Sequence, residues 1–86
     1  MEVAVYKACA KKRKGGILHF DIIVPPETAF TAVLAYGSAF LQTRLQEDLP
    51  VSSRDCRFCY TTETVPRWES QIAVQGYYIH ESQGCH

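Results

Sequence analysis

With 86 residues, 47% of them apolar and 21% charged, the chain has the make-up of one ordinary globular domain, and intrinsic disorder is excluded. Nine Lys and Arg balance nine Asp and Glu, so the formal net charge is zero and the basic face expected of a nucleic-acid binder is missing. A domain of this length buries roughly 60–65% of its unfolded surface, enough to fold without staples.

Glu2–Ala10 is rich in β-formers and short side chains and reads as a first strand. Lys11–Gly16 is a charged turn ending in Gly15-Gly16, the composition of a hairpin connection. Ile17–Val24 then alternates, with Leu18, Phe20, Ile22 and Val24 on one face and Ile17, His19, Asp21 and Ile23 on the other. Pro25-Pro26 ends this strand, because proline cannot donate to a ladder. The run Lys11-Lys12-Arg13-Lys14 is a solvated turn in a neutral chain, not a nucleic-acid patch.

Thr28 is placed to cap a long helix running to about Glu47, whose buried stripe is Phe30, Val33, Leu34, Gly37, Leu41 and Leu45. Glycine inside a helix costs about 1 kcal/mol, so Gly37 on the stripe implies close approach to the sheet. Asp48-Leu49-Pro50 ends the helix. A second, shorter helix begins near Thr64-Val65-Pro66, turns Val65, Trp68 and Ile72 inward, and stops at Gly76. Tyr77–Glu81 is the last strand.

The apolar start Met1–Tyr6 is interrupted by Lys7, and the basic run follows it instead of preceding it, which is unlike a signal peptide. No window approaches the roughly 18 apolar residues of a membrane span. The expectation is a cytosolic protein with reduced thiols, no membrane partner and no disulfide framework.

Four cysteines make the segment between the helices the most informative. If Asp55–Thr61 is a regular strand, Cys56, Phe58 and Tyr60 line one side and Arg57, Cys59 and Thr61 the other, so the two sulfurs diverge. A turn at Arg57-Phe58 would bring them together, but those residues lack the Gly or Pro that tight knuckles use.

These residues also resemble a known family. His19-Phe20-Asp21, the run Cys56-Arg57-Phe58-Cys59, and Gly76-Tyr77-Tyr78-Ile79 through Gly84-Cys85 are similar to a small bacterial family catalogued as domain of unknown function number two thousand and twenty-four. The resemblance covers nearly the whole chain. It implies one domain of four β-strands and two α-helices, with the cysteine segment as the additional strand, and it implies no activity. This sequence departs from the family pattern at Lys7-Ala8-Cys9, where Asp-Thr-Tyr is usual, and at Tyr60, where a His usually follows the second cysteine.

Three chemistries compete for the cysteines. In a zinc site, Cys56, Cys59 and Cys85 would be joined by His19 or His80, with Zn–S near about 2.3 Å; adjacent residues seldom coordinate together, which disfavours His86 beside Cys85. A redox dithiol needs a helix starting directly after the first cysteine, yet the next helix begins near Pro66, although Arg57 could stabilise a thiolate. The simplest reading is that these cysteines act as small buried hydrophobes.

His19 and Asp21 share a face two residues apart, and an Asp can fix a histidine tautomer for acid–base chemistry. With no nucleophile elbow or phosphate loop in the chain, the polar outer face of a hairpin is the better reading of that pair, as it is of Arg57 and His80.

The whole chain, residues 1–86, is thus expected to be one α+β domain: two layers, an antiparallel sheet of about four strands with both helices on one face, in the order β-β-α-β-α-β. No cofactor is expected, zinc being the alternative. A sheet face left uncovered at Ile17 and Ile23 on a neutral protein would favour a homodimer. The functional expectation is a binding or assembly module, not an enzyme.

Overall fold

β1 (Glu2–Lys11) and β2 (Ile17–Val24) form an antiparallel hairpin in continuous register from Ala4 opposite Val24 to Lys11 opposite Ile17. Gly15 and Gly16 both adopt positive φ, 100° and 85°, the backbone that a tight strand reversal demands and glycine supplies without a Cβ clash. The computed structural model describes residues 1–11, 15–45 and 56–82.

α1 (Phe30–Leu45) follows, then β3 (Cys56–Glu63), α2 (Pro66–Gln75) and β4 (Tyr78–Ser82). β3 pairs with β1 and β4 with β2, both antiparallel, giving one four-stranded sheet in the order β3-β1-β2-β4. The α+β class, the four strands, the two helices and their order are those expected from the sequence.

The boundaries have identifiable causes. The Ala29 carbonyl accepts from the N–H groups of Ala32 and Val33, so Ala29, and not Thr28, occupies the cap position of α1; the Thr28 N–H instead donates to Pro25 in the turn closing β2. The expected continuation of α1 to Glu47 and its stop at Asp48-Leu49-Pro50 lie outside the described residues. Val65 is extended, Pro66 opens α2 where its missing N–H is harmless, and Gly76 closes it at φ 95° with its N–H on the Ile72 carbonyl at 2.8 Å.

The placement of the helices departs from the expectation. One apolar cluster joins Val33 and Leu41 of α1 to Ala4, Ala8, Leu18, Phe20, Ile22, Val24 and Cys56, with Phe40 stacked against Phe20 at 4.9 Å between ring centres. A second joins Ile72 and Trp68 of α2 to Val3, Val5, Ile23 and Tyr78. Val5 sits opposite Ile23 and Ala4 opposite Val24 on paired strands, so by strand alternation the two clusters lie on opposite faces. The helices therefore flank the sheet, one per face, instead of sharing a face. The cause is the unbroken apolar triplets Val3-Ala4-Val5 and Ile22-Ile23-Val24, which offer both faces an apolar surface that only two helices can cover. Ile23, expected to remain in water, is 2% exposed; Ile17, at 53%, does remain there.

Candidate functional site

α2 is ten residues long and caps only the Val3, Val5, Ile23 and Tyr78 end of its face. Beyond it the same face turns polar. Register places Arg57, Lys7, Asp21 and His80 side by side across all four strands, and Cys9, His19 and Ser82 on the next rung but one. Directly opposed residues share a face with Cβ atoms about 4.5–5.5 Å apart. The structure thus gathers His19, Asp21, Arg57 and His80, drawn from three strands, into one array. Lys7, Arg57 and His80 are exposed, and His19 and Asp21 are half-buried.

The electrostatics of the array are unbalanced. The Lys7 ammonium lies 3.5 Å from an Asp21 carboxylate oxygen, near the outer limit of an ion pair. Arg57 opposes Lys7 directly, and like charges in that relation repel. Among the described residues Arg57 has no ion-pair partner.

The cysteine segment is a strand without a turn at Arg57-Phe58. Its pairing carries an irregularity: Val5 opposes Tyr60 and Tyr6 opposes Phe58, which leaves Cys59 as the extra residue of a bulge. The bulge turns Tyr60 to the α2 face, away from Cys56 and Phe58 on the α1 face, instead of all three lining one side as regular alternation would have it. Cys56 is buried in the α1 cluster, where desolvation pushes its thiol up to about 11, so it stays protonated at neutral pH and is a poor nucleophile or metal ligand. Cys59 is exposed. His19 lies on the α2 side and Cys56 on the α1 side, so the sheet separates two of the expected zinc ligands. Cys85 and His86 lie outside the described residues. Among the described residues no group of three or more His, Cys, Asp or Glu could hold a metal ion.

Cys9, which no motif singled out, stands directly opposite His19. A two-residue turn at Gly15-Gly16 would have set Cys9 opposite Ile22; the observed connection of residues 12–16 between Lys11 and Ile17 sets it opposite His19.

The second exposed feature is aromatic. Phe58 and Tyr60, on the edge strand β3, are 54% and 47% exposed, followed among the rings by Phe30 at 38%. Tyr6 links Phe58 to α1, meeting it edge-on at 5.6 Å and Phe30 at 5.9 Å. A groove of about 450 Å³ runs along β4 between Phe40 and Thr43 of α1 and Arg67, Gln71 and Gln75 of α2.

Protein NE1680 from Nitrosomonas europaea, determined by NMR, is similar in fold at a TM-score of 0.81, with 27% sequence identity over 100% of both chains. No curated protein matches this chain. The model of the family described as Domain of unknown function (DUF2024) matches residues 1–82, and the chain belongs to that family.

Proposed function

We propose that the protein is a small cytosolic bacterial module that acts by binding and assembly instead of catalysis, and that it self-associates through the aromatic side chains of β3. The supporting observation is the exposure of two rings on the edge strand β3, Phe58 on the α1 face beside Tyr6 and Tyr60 on the α2 face opposite Val5, so that the rings flank this edge of the sheet on both sides. Large amphipathic rings of this kind favour protein contacts, and a neutral chain offers little repulsion between copies. The bulge at Cys59 interrupts the ladder edge, so the contact would rest on side chains and not on a continued sheet. No helix among the described residues is long and apolar enough to cross a membrane.

This surface replaces the Ile17 and Ile23 face, because Ile23 lies beneath α2. Sedimentation velocity over a wide concentration range tests the reading: a mass rising toward twice that of the chain supports it, and a constant monomer overturns it. The alternative, a zinc- or thiol-bearing module using Cys56, Cys59 and Cys85, loses Cys56 to the core and would draw on Cys59 and Cys85. Metal analysis beside a free-thiol count tests it.

A further inference from the structure

We propose that the cationic end of the cross-strand array, Arg57 and Lys7 with His19 beside them, binds a small phosphate-class oxyanion. The site lies on the face opposite Phe58, with Tyr60 as its neighbour along β3, and stands on its own observations. Two cations in direct opposition on neighbouring strands are a cost to the sheet unless an anion lies between them. Asp21 answers only Lys7, and at 3.5 Å; Arg57 has no ion-pair partner among the described residues.

Strands are spaced about 4.8 Å apart, so one tetrahedral anion over β1 can reach both side chains. The guanidinium presents a planar fork matched to two phosphate oxygens, and the ammonium adds a mobile point charge. His19, half-buried on the same face of β2 and two residues from Asp21, lies diagonal to Lys7 and carries a ring N–H for an anion held there. The backbones that carry the groups are fixed by strand pairing, so only the exposed Lys7 and Arg57 side chains must be ordered on binding, which keeps the affinity modest. A doubly charged oxyanion matches the two cations better than a carboxylate does, and the partial claim of Asp21 on Lys7 sets the site at modest affinity.

The test is a titration of the ¹⁵N-labelled full chain with sodium phosphate, set against sodium chloride at equal ionic strength. The expected result is saturable movement of the Lys7, Asp21 and Arg57 amide signals. Arg57→Gln should weaken binding about tenfold, as expected for loss of one charge-assisted contact. Asp21→Asn should tighten it, by removing the competing carboxylate. Arg57 is exposed and Asp21 half-buried, and native signal dispersion in each variant checks that it is folded. A second arm with phenyl phosphate separates an organic phosphate ester, bound more tightly, from the free ion, bound equally. Non-saturable shifts, or Arg57→Gln binding as the wild type does, would overturn the proposal. A Phe58→Ser variant, altered on the opposite face of the sheet, should bind phosphate unchanged, so failure of the assembly reading leaves this one standing.

Discussion

Tyr36 and Gly76 hold the end of α2 against α1: the Tyr36 hydroxyl lies 3.1 Å from where a Cβ on Gly76 would sit. The Tyr36 ring also stacks on Tyr77 with centres 4.3 Å apart. Gly76 is thus fixed twice, by its positive φ of 95° and by that contact. Gly76→Ala should cost about 1–3 kcal/mol in chemical denaturation, through backbone strain and displacement of the tyrosine. Adding Tyr36→Phe should recover part of the loss, because removing the hydroxyl relieves the contact but not the φ. A Gly76→Ala protein as stable as the wild type would show that the cap is not strained.

The two-sided core makes a paired prediction. Phe20→Ala, beneath α1, should cost about 3–5 kcal/mol, and Ile23→Ala, beneath α2, about 2–5 kcal/mol. If both helices shared one face, Ile23 would be a surface residue and its loss would fall within about 0.5 kcal/mol. Urea denaturation of the two variants decides between these arrangements.

The order of elements along the chain and the turn glycines are legible because each has a local cause: alternation in Ile17–Val24, Gly15-Gly16 at the reversal, Pro66 and Gly76 at the ends of α2. The side on which α2 packs was not read, although the signal was present. Val3-Ala4-Val5 and Ile22-Ile23-Val24 are continuous apolar runs, which mark strands buried on both faces; alternation was read in β2 and the exception at Ile23 passed over. The polar array was half legible. His19 and Asp21 share a strand, but Lys7, Arg57 and His80 join them only through pairing between distant segments, which no local pattern encodes. The bulge at Cys59 has the same origin, since it depends on the register of β3 against β1.

Burial of Cys56 has a consequence in alkaline solution. Its thiol ionises near 9.0 when free and near 11 in the fold, so the unfolded chain loses the proton first. The contribution is fully present below pH 9 and declines as pH rises toward 11, by about 1.4 kcal/mol per pH unit at most. The stability of Cys56→Ala should fall less steeply than that of the wild type over this interval. Equal slopes would show that the thiol is solvated.

The same burial orders the thiol reactivity. With a disulfide reagent at pH 8, Cys59 should react promptly and Cys56 only after denaturant is added. Mapping the labelled cysteines by mass spectrometry checks this order, and early labelling of Cys56 would contradict its placement under α1.

The most direct test of the assembly reading compares the wild type with a Phe58→Ser, Tyr60→Ser double variant by sedimentation velocity at matched concentrations. Both rings are about half in water and outside the two core clusters, so the variant should keep its fold when monomeric, with at most a small fall in melting temperature. The account predicts a wild-type protein that shifts to twice the chain mass as concentration rises and a variant that stays monomeric. A wild-type protein that remains monomeric throughout, or a variant that dimerises equally well, would contradict it.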